Sequence, residues 1–510
     1  MWELWDEEVV RKDLKLLAEN GCEMLRVFPN WRDFQPIEVR QTCGGRIKDI
    51  YLHGNPRPDT YCGSAGVDEE MIRRFRRFAE IAHEYNLSLR VGIVTGWMSG
   101  SIYCPPALEN TNLQTNPLAL HYMVKFIRCF VHMLKDCPAI EEWELGNECN
   151  NLGSIPDPHT AWLWIYLVSS AIRLEDPTRK VASGMHGLIA ADEHAGGYIW
   201  SIQNHGELCD RMTPHPYPQS GGKTIAKVDA QDSIRGILES TIEMLYYGDI
   251  VERPACVEEI GTFASSYASE TLKALFLRGV LYNCWAHGAT DFLWWCAFDQ
   301  DHLPFPPYWW SAFERELGMF DMHNTPKKLM EEFLSFKAFR DNLPFKELPP
   351  FQRDAVCVVT RDQPFDNALS NAGNALLLAK QNNFDVRYRF TTQHKADAPL
   401  YLMPGISGDG SLYVYEWKYF IEKVKNGSVL YVSMDSCAMS MITELFGVEV
   451  TGRERRVTPA IVEFNGEKFQ IPSEFKTSLK VIDGEVLARE ADGNPVFIRK
   501  QYGKGWCYLL

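Results

Sequence analysis

From residue 8 to about residue 345 the chain alternates helical with extended patterning. Residues Glu8 to Asn20 put Val9, Leu14, Leu16 and Leu17 on one side of a helix that Asn20-Gly21 ends. The apolar run Met24 to Phe28 follows and stops at Pro29. A long polar excursion rich in Gly and Pro, Gln35 to Gly66, precedes a helix over Asp68–Tyr85, which leads into the extended run Leu87–Val94. A further helix, Leu118–Leu134, leads into Ile140–Gly146. Extended runs recur at Lys180–Ser183, Arg211–Thr213, Ala255–Val257 and Thr290–Trp295, with helical stretches between most of them. Strands alternating with helices require a parallel sheet with right-handed crossovers. Seven such strands, each followed by a loop carrying polar or aromatic residues, predict an α/β fold of the (β/α)₈ TIM barrel type rather than an open sheet. The first helix begins almost at Met1, so the strand expected before it is missing. The chain is therefore expected to be a fragment, or its start to be placed too late, and a lost leader would hide any signal peptide.

Residues 1–343 are assigned to the barrel, 344–353 to a linker rich in Pro (Pro344, Pro349, Pro350), and 354–510 to a smaller domain. There Ala355–Thr360, Phe384–Phe390, Pro399–Met403 and Ser428–Ser433 read as strands, and Leu369–Asn382 and Tyr415–Lys425 as helices. This is a flavodoxin-like α/β pattern. From Val448 onward, short alternating segments predict small β-structure, and the chain stops inside one, at Tyr508-Leu509-Leu510.

A length of 510 residues is beyond the roughly 250–300 at which single cores stop growing, in keeping with two domains. No run of about 18 apolar residues occurs, which argues against a spanning helix. The net charge of −15 argues against a nucleic-acid surface. The 14 Cys are scattered, many inside apolar runs, as reduced buried thiols are. Cys43, Cys62, Cys104 and Cys149 lack the CxxC spacing of a metal site, and no metal or cofactor is expected. The acidic N-terminus has no n-region or h-region, so a cytoplasmic setting is expected. The 15 Trp, 21 Tyr and 27 Phe include rings suited to stacking on sugar faces, although most aromatics in any protein are core.

Two acidic strand ends carry the sharpest chemistry. Trp143-Glu144-Leu145-Gly146-Asn147-Glu148 ends a strand, and in a parallel barrel the carboxyl ends of the strands form the active face. Cys256-Val257-Glu258-Glu259-Ile260-Gly261 ends another. Neighbouring strand residues face opposite ways, so only one of Glu258 and Glu259 faces the mouth. Two such acids are what glycoside hydrolysis needs: one protonates the leaving oxygen and the other attacks the anomeric carbon. Three more strand ends bring His215 and Tyr217 (in Thr213–Pro218), Trp295, and Arg26, whose fork can orient a carboxylate. Each has a plain alternative: Glu148 as a helix cap, His215 as a core histidine, Trp295 as packing, Arg26 as a buried ion-pair member. Their joint position at strand ends argues for a site.

With these residues the chain resembles the clan A retaining glycoside hydrolases, most closely family 5, over about Trp2 to Phe339. The likeness rests on Asn147-Glu148, Glu259-Ile260-Gly261, His215-Pro216-Tyr217 and Trp295. It implies Glu148 as acid/base, Glu259 as nucleophile and Asn147 as ligand of the sugar 2-hydroxyl. Tyr217 and Arg26 would orient the nucleophile, His215 would line the site, and Trp295 would floor the −1 subsite. The family usually carries a His on the strand occupied here by Val91–Val94, and this chain has Thr95-Gly96-Trp97-Met98-Ser99-Gly100 instead; Trp97 is the substrate-binding candidate there. The smaller domain looks like the glutamine-amidotransferase-like domain of family 42 β-galactosidases. Its Met434-Asp435-Ser436-Cys437-Ala438 lacks the glycines of a nucleophile elbow, so Cys437 reads as structural and the domain as an oligomerisation or scaffold module.

The expected partner is an oligosaccharide. An excursion able to wall off one end of the mouth, and a cytoplasmic setting, favour an exo-acting β-glycosidase, β-mannosidase first and β-galactosidase second. An endo-acting β-mannanase or β-glucanase, transglycosylation through the same covalent intermediate, and a non-catalytic sugar-binding protein are the alternatives.

Overall fold

The computed structural model describes residues 2–192, 198–217, 232–262, 264–305, 308, 311–345, 348–349, 352–361, 363, 365–393, 397–471 and 473–510. The chain divides into two compact units near residue 350, inside the expected linker, and residues 190–192 go with the second unit. Linker residues 346, 347, 350 and 351, and Pro218 of the His215 motif, lie outside the described residues.

In the first unit, β1 (Met24–Val27), β2 (Ser88–Gly92), β3 (Ile140–Glu144) and β4 (Lys180–Ala182) form a parallel sheet in that order. Single parallel bridges, Ala182 to Arg211 and Met212 to Ala255, carry the ladder onward to β5 (Val257–Ile260), which pairs with β6 (Phe292–Trp294). Helices return the chain between strands. Asp6, Asp68, Asn116 and Asp157 each accept a first-turn backbone N–H and so start the helices Glu7–Glu19, Glu69–Glu84, Pro117–Leu134 and Pro158–Glu175. The second of these buries Met71, Ile72, Phe75, Ala79 and Ala82. No described strand stands between β6 and β1, the place of the expected first strand. A cavity of about 770 Å³ opens there, lined by residues that include Leu17, Met24, Trp285, Phe292 and Phe336.

The barrel interior is charged below its mouth. Arg90, fully buried, reaches Glu142 at 2.7 Å, Asp291 at 2.8 Å and Glu258 at 3.3 Å, and Arg211 completes the set with Glu142 and Asp291. Such a set is stable only while complete, because removing one member of a buried pair strands the other. The Gln35–Gly66 excursion is ordered as a three-stranded antiparallel sheet (Ile37–Gln41, Ile47–Leu52, Asn55–Pro56) and a short helix, Tyr61–Ala65. Ile37, Ile50 and Leu52 pack with Tyr122 of the helix Pro117–Leu134, and Gln35 donates to the carbonyls of Ala65 and Tyr122.

The second unit is built on one nine-stranded sheet. Its parallel part runs Val386–Phe390, Ala355–Val359, Leu400–Gly408, Val429–Cys437, Gly505–Leu509. Pro495–Tyr502, Glu485–Glu490, Ala460–Phe464 and Glu467–Ile471 continue it antiparallel. Most of the terminal β-structure thus extends the α/β sheet, because Gly505–Leu509 pairs on both sides, while Val448–Arg455 and Phe475–Val481 pair antiparallel as a separate two-stranded sheet. Cys437 ends a strand in ladder with Gly408 and packs against the core. No described helix is long and apolar enough to cross a membrane.

Candidate active site

The chain reaches the mouth at Glu148 by an uncommon backbone. Glu148 has φ 44°, in the left-handed region that a residue with a Cβ avoids, and its N–H donates to the carbonyl of Gly184 at 2.8 Å. Gly184 must be glycine: at φ 62° a Cβ would stand 2.4 Å from a Glu144 carboxylate oxygen.

Glu148 is surrounded by donors. His215 Nδ1 lies 2.8 Å from Oε1, and Oε2 accepts from Trp97 Nε1 at 3.1 Å and Asn151 Nδ2 at 3.3 Å. His186, 3.9 Å away, stacks on His215. Burial works to raise the pKa of Glu148, but the two imidazoles and Arg26 prevail and hold it well below the usual carboxylate range. Burial likewise disfavours a proton on His215, yet Glu259, Glu148 and Glu258 outweigh burial and Arg26 and lift it to about 10. The proton of this 2.8 Å contact therefore sits on the imidazole.

Glu259 is held differently. Arg26 Nη1 donates to it at 2.6 Å and the Tyr217 hydroxyl at 2.8 Å. Arg26 is itself gripped by Glu144, through two hydrogen bonds of 2.6 and 2.8 Å, so the guanidinium has one aim. Burial, then the Glu259 charge, push the Tyr217 phenol well above its ordinary value, so it remains a donor. Glu258 turns inward to Arg90, Arg26 and His215 Nε2. Carboxylate oxygens of Glu148 and Glu259 and a ring nitrogen of His215 lie within 4.8 Å of one another. Three such atoms can in principle hold a cation, but protonated His215 and the Arg26 guanidinium oppose one by charge.

Asn147 donates through Nδ2 to the Trp97 carbonyl at 3.0 Å, and its buried Oδ1 has no hydrogen-bond partner among the described residues. Trp295 follows β6, stands edge-on to Phe28, and donates to Glu314 at 2.9 Å. The eight expected residues thus belong to one neighbourhood, arranged around the two carboxylates. Glu144, Glu314, His186 and Asn151 were not singled out in the sequence. Glu144 had a signal, lying two residues before Gly146 on a strand that ends in acid. Asn151 and Glu314 end short 3₁₀ turns and His186 sits in a loop, without a pattern to mark them.

No family model matches the chain. A probable mannan endo-1,4-β-mannosidase F from Neosartorya fischeri is 25% identical over 190 residues, 36% of this chain and 39% of its own. The chain thus spans about two-fifths of the length of that curated relative. Among solved structures, the exo-β-1,4-mannosidase Op5Man5 from Opitutaceae bacterium strain TAV5 superposes with a TM-score of 0.79 at 22% identity, over 100% of this chain and 88% of that one. Gan42B, a GH42 β-galactosidase from G. stearothermophilus, superposes with a TM-score of 0.67 at 12% identity, over 100% and 83%. The fold is that of the clan A glycoside hydrolases, family-5-like. In overall architecture it is similar to family 42.

Proposed function

We propose that this protein is a retaining, exo-acting β-glycosidase of short oligosaccharides, with β-mannosides as its substrates. The observation that carries the reading is the pair of carboxylates with oxygens within 4.8 Å and unlike surroundings. Retaining enzymes hold the two groups about 5–5.5 Å apart, whereas inverting ones leave roughly 6.5–9.5 Å for a water. Glu259, fixed by Arg26 and Tyr217, attacks the anomeric carbon. The leaving oxygen takes its proton from His215 through Glu148, across their 2.8 Å contact, which leaves Glu148 ionised and the imidazole neutral. In the second half Glu148 accepts a proton from water, the water oxygen bonds the anomeric carbon, and Glu259 leaves as carboxylate.

The exo reading is supported by enclosure: the Glu148 and Glu259 side chains are only 15% and 12% exposed, and Arg26 only 5%. A polymer passing on both sides needs a more open cleft. Mannose is supported by both the exo-mannosidase with the whole-chain likeness and the mannanase with the partial one. A β-galactosidase is the second reading, supported by the GH42 likeness over the full chain. Nitrophenyl β-mannoside, β-galactoside and β-glucoside, set beside internally cleavable mannan, test these readings. Release of nitrophenol from the mannoside with β-mannose as first product is expected. Cleavage of internal mannan bonds alone would defeat the exo claim.

A further inference from the structure

We propose that His186, with Asn151 beside it, binds the leaving sugar, so that the enzyme selects the group on the far side of the cleaved bond as well as the terminal sugar. This deepens the glycosidase reading and rests on it. His186 comes from the loop after β4, and its Nε2 stands 3.9 Å from Oε2 of Glu148. Asn151 Nδ2 joins the two, 3.2 Å from that ring nitrogen and 3.3 Å from that oxygen. The ring also stacks on His215, with centroids 6.3 Å apart and planes 19° apart. The loop is held on both sides of the ring. The Gly184 N–H donates to Thr213 Oγ1 at 2.8 Å and the Gly184 carbonyl accepts from Glu148. The His186 carbonyl accepts from Asn150 Nδ2 at 3.1 Å, and the Leu188 N–H donates to the Tyr247 hydroxyl at 2.7 Å.

Openness sets this imidazole apart. The side chains of Arg26, Glu144, Glu258 and His215 are at most 5% exposed, whereas 36% of the His186 side chain is open. The terminal sugar occupies the enclosed part of an exo-acting pocket, and the leaving group departs toward solvent. A leaving oxygen within hydrogen-bond reach of the Glu148 carboxyl brings its own sugar ring past His186. With the Asn151 amide donating to Nε2, the ring hydrogen is on Nδ1, which has no hydrogen-bond partner among the described residues. Nδ1–H can donate to a hydroxyl of the leaving sugar. Because the loop is already fixed, little ordering cost is set against that bond. Assisting Glu148 does not require an open imidazole, since His215 meets the same carboxyl from full burial.

The test uses β-1,4-mannobiose and methyl β-mannoside. Both have alkoxide leaving groups with a comparable need of the acid, and only mannobiose offers hydroxyls beyond the cleaved bond. The quantity read is the ratio of their kcat/KM values in wild type, His186→Ala and His186→Asn. A fault at Glu148 lowers both substrates together and cancels in this ratio. The preference for mannobiose should shrink by roughly 3- to 10-fold in His186→Ala, the effect of one neutral hydrogen bond, and by less in His186→Asn, whose amide restores a donor. A ratio equal in wild type and His186→Ala, whatever happens to the separate rates, would overturn the leaving-sugar contact while leaving the hydrolase intact. A wild type inert on both substrates would overturn the mannosidase reading, and this contact with it.

Discussion

Arg26→Lys isolates what the guanidinium does. The wild-type side chain is 5% exposed and makes three charge-assisted hydrogen bonds, two to Glu144 and one to Glu259. Lysine keeps the charge, but as a point donor on a flexible stem it cannot span both carboxylates. At least one hydrogen bond to a charged group is lost, worth about 1.5–3 kcal/mol, and the loss falls on the aim of Glu259 when the ammonium settles on Glu144. At 1.36 kcal/mol per tenfold, kcat/KM should drop by roughly 10- to 150-fold. Arg26→Met removes the charge as well, leaving Glu144, Glu258 and Glu259 without their shared cation, and should cost about 3–5 kcal/mol of stability. Steady-state kinetics on a dinitrophenyl glycoside, whose departure needs no acid, together with thermal melts, separate the two effects. Arg26→Lys within threefold of wild type would refute the claim that this guanidinium positions the attacking carboxylate.

Two further outcomes are expected. Glu148→Ala should still be glycosylated by substrates with good leaving groups but should turn over about 10²–10⁴-fold more slowly, and azide should restore turnover by forming a glycosyl azide; unchanged turnover would remove Glu148 from the chemistry. Glu243, buried on the helix Ile234–Val251, has its pKa raised from 4.5 to about 7, chiefly by burial. The native state then keeps a proton that the unfolded state releases, so stability falls by about 3 kcal/mol as pH rises from 4.5 to 7. Glu243→Gln should flatten that fall in melts across the window, and an unaltered slope would count against it.

The alternation of strand and helix was legible because each barrel strand is a short apolar run before a polar loop, and Glu148, Glu259, His215 and Trp295 all lie at such ends. Arg211–Thr213 was legible as extended but pairs only through two bridges, since its neighbours reach it at single residues. The charged interior was less legible. Arg90, Glu142 and Glu258 sit inside runs that read as apolar, and only contacts between strands distant in sequence make them a paired set. His186 reaches Glu148 from a loop, where neither periodicity nor spacing fixes direction. In the second unit the last strand was visible, but its place beside Val429–Cys437 depends on a long-range pairing that local alternation does not encode.

A 2-deoxy-2-fluoro glycoside with a good leaving group tests the covalent step most directly. Incubation followed by peptide mass spectrometry should find one sugar per chain, attached at Glu259, with activity lost in step and regained on adding an acceptor. A label on any other residue, or hydrolysis with inversion and no adduct, would contradict the account.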